Sequence, residues 1–196
     1  MTTPGISATP AKEHIDLHVI TDLDDWLASR GADVTQWVNQ QDFKAKPGAH
    51  LSIPALNGKP AAVIVGASES PCLTTLGGLP LRLPQGSYVP STPLAELDAL
   101  GWALGAYQYS TYKDATRAPA TLVLQDNDLR TAVERLADAT ALTRDLINAP
   151  ANDMLPTHLE AATRALASAF KADVNVTTGD ELLEAGYNTP PAACAP

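Results

Sequence analysis

Leu142–Leu166, LTRDLINAPANDMLPTHLEAATRAL, is expected to end one helix and begin another within a few residues. Upstream, Leu129, Val133, Leu136, Ala139, Leu142 and Leu146 recur at three- and four-residue steps, the spacing that gathers apolar side chains on one helical face. Asn127 or Asp128 is expected to cap that helix. It is expected to stop near Asn148, because Pro150 lacks an N–H and biases Ala149 away from helical geometry. Pro156 suits a first helical turn, and Thr157 followed by Glu160 predicts a capping box. Leu159, Ala162, Leu166, Ala169 and Phe170 form the next apolar stripe. Between the helices, Asn148, Pro150, Asn152 and Asp153 have the side chains of a tight helix-to-helix turn, bonding nearby backbone groups.

At 196 residues the chain has room for one full domain, or for a domain and part of another. A hydrophobic fraction of 45% against 18% charged residues provides for a sizeable core and excludes general disorder. The formal charge of −9 and pI near 4.7 oppose binding to a phosphate backbone, which requires clustered Lys and Arg, so no nucleic-acid partner is expected. The sequence has no run of about 18 apolar residues, and Met1–Lys12 lacks a basic start and an apolar core. No membrane partner is expected, and the location implied is the cytoplasm. Cys72 and Cys194 stand far apart at no metal-ligand spacing and read as reduced thiols of minor structural weight.

Residues 1–13, with Pro4, Gly5 and Pro10, show no periodicity and are expected as a loose arm. Alternation from Ile15 to Ile20 predicts a strand, and Asp22, Asp24 and Asp25 open a helix around Trp26 and Leu27. A short helix around Val34, Trp37 and Val38 follows. His50–Leu56 and Ala61–Gly66 read as strands joined through Asn57-Gly58, the second buried on both faces because it lacks polar alternation. Ala67–Pro93 is expected to be packed and irregular, with one short helix and a strand. Thr92-Pro93 then begins a helix whose buried face is Leu94, Leu97, Leu100, Leu104 and Tyr107. Within it Gly101 and Gly105 allow close approach, read as helix-on-sheet packing. Thr121–Leu124 is the next strand; beyond the second helix of the opening stretch, Val174 and Val176 suggest another strand and Gly179–Ala185 a short helix. This alternation indicates an α/β fold with a mixed sheet.

Gly66-Ala67-Ser68-Glu69-Ser70 follows a buried strand, but Ser70 stands where a nucleophile elbow needs glycine, so a polar loop is the expected reading. His14, His18, His50 and His158 are scattered, and none pairs with a metal-binding partner at helical spacing. Gly77-Gly78 lacks the spacing of a phosphate loop. Asp22, Asp24 and Asp25 are expected to serve as a cap and a solvated first turn. No catalytic, cofactor-binding or metal residue is assigned.

Two segments carry a family resemblance. R-D-L-I-N-A-P-A-N-D-M-L-P-T-H-L-E-A-A, Arg144–Ala162, resembles the passage by which leucyl (cytosol) aminopeptidases enter their metal-dependent catalytic domain. Gly101-Trp102-Ala103-Leu104-Gly105-Ala106-Tyr107, continuing to Tyr112-Lys113, is similar to the helix ahead of that passage. Ala149 and Leu155 depart from the Thr and Gly more usual there. The resemblance implies an N-terminal α/β domain likened to macro domains, a catalytic domain with two divalent cations (Mn or Zn), hydrolytic removal of N-terminal residues from peptides, and a hexameric homo-oligomer. It implies residues 14–126 as the macro-like domain, 127–148 as a connecting helix and 149–196 as the incomplete start of the catalytic α/β domain.

After Gly179-Asp180-Glu181-Leu182-Leu183 the family continues into its metal-binding segments, whereas this sequence reads GYNTPPAACAP over residues 186–196. The family's lysine and carboxylate ligands and its N-T-D-A-E-G-R motif have no counterpart here. The expectation is a chain inactive by itself, its ending due to truncation, a shifted reading frame or a chosen boundary. The other reading left open is a non-catalytic assembly or ligand-binding module of macro-like fold.

Overall fold

A computed structural model describes residues 3–55, 58 and 60–187, which fall into two compact units, Met1–Asp145 and Leu146–Pro196. In the first, the elements run β1 (Ile6–Ser7), β2 (Ile15–Ile20), α1 (Leu23–Ala28), α2 (Ala32–Gln40), β3 (His50–Pro54), β4 (Pro60–Gly66), α3 (Leu73–Gly77), β5 (Ser87–Pro90), α4 (Glu96–Gly105) and β6 (Thr121–Val123), followed by α5 (Asn127–Asn148), most of which lies in this unit. The strands form one sheet in the order β1-β6-β5-β2-β4-β3. Only β3 is antiparallel to its neighbour; the other pairs are parallel. The expected α/β fold with a mixed sheet is what forms.

β4 explains why the sheet is covered on both sides. Val63 and Val65 pack into a cluster with Leu76 of α3, Trp102 of α4 and Val133 of α5, while Ile64 between them packs with Val38 of α2 and the half-buried Trp26 of α1. A strand whose alternate residues enter two different cores has no polar face, which is the pattern its sequence shows. Its expected antiparallel pairing with β3 is present, Leu51 opposite Ile64. Asn57 of the connecting turn lies outside the described residues.

Several expectations need correction. The stretch read as a loose arm supplies β1: Ile6 pairs with Leu122, and the Thr3 hydroxyl donates to Asp138 Oδ1 at 2.8 Å. A two-residue strand is too short to show a period, and its stability comes from the β6 edge it covers. α4 begins at Glu96, not at Pro93, after an extended Ala95. Its buried residues are Asp98, Ala99, Gly101, Trp102 and Ala103; of the expected face, Leu94, Leu100 and Leu104 pack half-buried against the core, whereas Leu97 is 47% exposed. The cause is α3: a Cβ built on Gly101 would collide with the Leu73 carbonyl oxygen, and one on Gly105 with that of Gly77. The glycines thus serve helix-on-helix contact, not helix-on-sheet contact, and the smallest residues face inward because only they allow that approach.

Helix caps also moved. Asp126, not Asn127 or Asp128, caps α5, its Oδ1 accepting from the N–H groups of Asp128 (2.9 Å) and Leu129 (3.2 Å). In the second unit are α6 (Pro156–Phe170) and α7 (Glu181–Glu184). The Thr157–Glu160 capping box does not form: the Leu155 N–H donates to His158 Nδ1 at 3.1 Å, and Glu160 instead accepts from Arg164 Nε at 2.8 Å. Val174 and Val176 form no strand, since a strand needs a hydrogen-bonding neighbour and the described residues of this unit offer none.

Candidate functional site

Open α/β sheets bind ligands outside the carboxyl ends of their parallel strands. Here the ends of β5 and β6 and the start of α5 enclose a cleft of about 330 Å³, lined by Val89 to Leu94 on one side and Val123 to Asp126 with Leu129 on the other. Its wall is fixed where the Ser91 N–H donates to the Leu17 carbonyl at 2.9 Å, tying the exit of β5 to β2. Ser91, Thr92 and Gln125 are the uncharged polar side chains along it.

Its electrostatics oppose an anion. The first N–H groups of α5, which otherwise attract negative charge, are satisfied by the Asp126 carboxylate itself. The nearby Arg130 is engaged as well: Nη1 donates to the Leu124 carbonyl at 3.2 Å, Nη2 to Asn127 Oδ1, and Nε lies 3.8 Å from Glu134. The cleft is therefore lined by a carboxylate and, among the described residues, by no lysine or arginine, which suits a neutral hydroxyl or amide group.

None of Ser68, Ser70, the four histidines, Asp22, Asp24 and Asp25 lines this cleft. The Ser68 hydroxyl donates to the Ser70 carbonyl at 2.6 Å in an exposed turn, a structural bond of the polar loop expected there. His14 Nε2 is 4.0 Å from Asp16 Oδ1. His18 sits edge-on to Trp26, ring centroids 5.3 Å apart, and its pKa is lowered first by burial and then by Arg30, with Asp16 opposing. His50 lies on β3, lowered by burial and then by Arg82. His158 caps α6. Among the described residues no group of three or more His, Cys, Asp or Glu side chains comes together to hold a metal ion.

Asp22 caps α1, accepting from the Asp25 N–H at 3.0 Å, with Asp24 and Asp25 in the first turn. Cys72 is exposed; its thiol pKa is lowered by the Thr74 hydroxyl and backbone, against an opposing effect of Asp98. Cys194 lies outside the described residues. Two residues have structural roles that the sequence did not reveal. Asp98, buried on α4, accepts from the Cys72 N–H at 3.0 Å and so fixes the start of α3. Arg144 donates from Nη1 to the Leu104 carbonyl at 2.9 Å and lies over the Tyr107 ring. No local pattern marks either role, because both act on backbone distant in sequence.

In the second unit, the predicted stripe of α6 is present but open: Leu159, Leu166 and Phe170 are 51%, 45% and 74% exposed.

The family model for the N-terminal domain of M17 aminopeptidases matches residues 14–125. Among curated proteins, the chain is 29% identical over 155 residues to a "Probable cytosol aminopeptidase" of Nocardia farcinica (strain IFM 10152), covering 68% of this chain and 31% of that protein. It is 21% identical over 191 residues to one of Alkaliphilus metalliredigens (strain QYMF), covering 80% and 38%. The chain thus spans about a third of the length of these relatives. Among solved structures, the cytosol aminopeptidase from Coxiella burnetii superposes with a TM-score of 0.83 at 29% identity, over 91% of this chain and 41% of that one. The bottromycin maturation enzyme BotP in complex with Mn superposes at 0.67 and 24% identity, over 88% and 40%, a likeness of fold alone.

Proposed function

The chain belongs to the M17 aminopeptidase family, as an N-terminal domain portion, and from that premise we propose that it is the non-catalytic part of an enzyme that removes N-terminal amino acids from peptides. The observation that carries the reading is the family match over residues 14–125, joined to a fold shared across 91% of the chain with a cytosol aminopeptidase.

Hydrolysis of this kind uses ligands that fix two cations about 3.5–4 Å apart and lower the pKa of a shared water. The described residues do not fit that requirement, because their histidines and carboxylates are dispersed over separate elements as caps and surface charges. The reading therefore assigns metal binding, by Mn or Zn, to a part of the enzyme outside this chain and routes no chemical step through these residues. It also takes the assembled enzyme to be a cytoplasmic homo-oligomer, a hexamer by family resemblance. The first unit is its macro-like domain, and residues 149–196 are the start of its catalytic domain. The helices on both faces of the mixed sheet and the uncovered apolar stripe of α6 are consistent with that account.

The test is turnover of a leucyl chromogenic substrate by the purified chain with added Mn²⁺ or Zn²⁺, together with its metal content. No turnover above buffer and no stoichiometric metal is expected. Chelator-sensitive turnover by this chain would overturn the division of labour.

A further inference from the structure

A second concavity, of about 500 Å³, lies on the first unit between α3, α4 and Arg144 of α5. Four glycines are among its lining residues, Gly77 and Gly78 at the end of α3 and Gly101 and Gly105 of α4, where the two helices meet. No Asp or Glu lines it, although the chain as a whole carries a net charge of −9. Two guanidinium groups do, Arg82 and Arg144.

These arginines differ in how far they are committed. The Arg82 backbone N–H donates to the Leu79 carbonyl at 3.0 Å, but its guanidinium makes no hydrogen bond or ion pair among the described residues, and its Nη1 stands 3.7 Å from where a Cβ on Gly78 would be, so the missing side chain leaves it room over the groove. Arg144 is held in place, with Nη1 on the Leu104 carbonyl and its face on the Tyr107 ring 5.3 Å away, which leaves its other nitrogens to donate elsewhere. The adjacent carboxylate, Asp145, accepts instead from the Tyr107 hydroxyl at 2.7 Å. The field of Arg82 reaches its neighbours, since it is one of the two causes that lower the pKa of His50.

We propose that this groove binds a small oxyanion, a carboxylate or phosphate group, between Arg82 and Arg144. The guanidinium fork matches both groups with paired N–H donors, and no carboxylate among the residues lining the groove competes for them. The inference is independent of the proteolytic reading, because it uses only the first unit and no metal.

The experiment is a titration of the ¹⁵N-labelled chain with inorganic phosphate and, separately, with succinate, at constant ionic strength set by chloride. Saturable shifts are expected at the amides of Gly77, Gly78 and Gly105. Saturation by phosphate alone identifies a phosphate site, and by succinate alone a carboxylate site. Arg82→Gln, a change at an exposed side chain, is expected to weaken binding about tenfold or more with an unchanged circular dichroism spectrum. Arg82→Lys, which keeps the charge and loses the fork, should fall between the two. The proposal is overturned by linear, non-saturating shifts with both anions, or by equal affinities in the parent and Arg82→Gln.

Discussion

Gly101→Ala tests the account of α4 most directly. A Cβ at this position would collide with the Leu73 carbonyl oxygen and lie 2.8 Å from its carbon and 3.0 Å from its Cα, so backbone and not a flexible side chain stands in the way. Replacing glycine inside a helix ordinarily stabilises by about 0.5–1 kcal/mol. Forcing an extra methyl into a packed contact costs about 1–3 kcal/mol, and the upper end applies where no rotamer change can relieve it. To make room, α3 must withdraw from α4, which also loosens Leu76 and Leu79 against Trp102, all in one buried cluster. The net expectation is a loss of about 2 kcal/mol, a fall in Tm of roughly 4–8 °C for a chain of this size. Urea unfolding followed by tryptophan fluorescence reads it, since Trp102 is fully buried and becomes exposed. A variant with a midpoint at or above that of the parent would refute the helix-to-helix contact, because propensity alone would then decide the sign.

Two further predictions concern pH. Tyr88 is fully buried, its hydroxyl donating to the Pro84 carbonyl, and burial pushes its pKa up to about 12 against the opposing charge of Arg117. Because the folded value exceeds the unfolded one, this contribution is whole below pH 10 and is lost as pH rises from 10 through about 12; Tyr88→Phe should flatten alkaline unfolding there, and ultraviolet titration should find one tyrosine ionising last. On the acid side, His18 and His50 have folded pKa values below 6.5, so the unfolded chain takes up their protons first and stability falls as pH drops through 6.5. Calorimetry at pH 7.5 and 5.5 should show a smaller difference for the doubly substituted His18→Phe, His50→Gln chain than for the parent.

What the sequence revealed of this fold depended on how local each signal is. Ile15–Ile20 and Ala61–Gly66 declared themselves because side-chain alternation, or its absence, is a property of the strand alone. The start of α6 at Pro156 was likewise visible, since proline fixes its own backbone. Features decided by a distant partner were not. β1 exists because Ile6 finds Leu122, more than a hundred residues on, and α4 turns its glycines inward because α3 is there to meet them. The caps were misplaced by small steps in register: Asp126, Asn127 and Asp128 are all good capping residues, and hydrogen-bond geometry chose the first. The cleft at the ends of β5 and β6 and the Arg82 groove left no local trace, because each joins segments far apart in sequence.

The residues that betray the family are themselves packing residues, and this is why kinship was legible while a catalytic site was not. In Gly101-Trp102-Ala103-Leu104-Gly105-Ala106-Tyr107 the two glycines let α3 rest on the helix, and the Trp102 Nε1 donates to the Ala120 carbonyl at 3.3 Å, seating α4 beside β6. Tyr107 completes the run by bonding Asp145 and carrying the Arg144 guanidinium on its ring, which ties the end of α4 to α5. Each role demands a particular shape: no side chain, a large ring with a single donor, a ring with a hydroxyl at its tip. Substitution at any of them opens a cavity, leaves a buried polar group unpaired or forces two backbones apart. A spacing that meets all of these demands at once is a signature of one fold, independent of whether any member of the set touches a substrate.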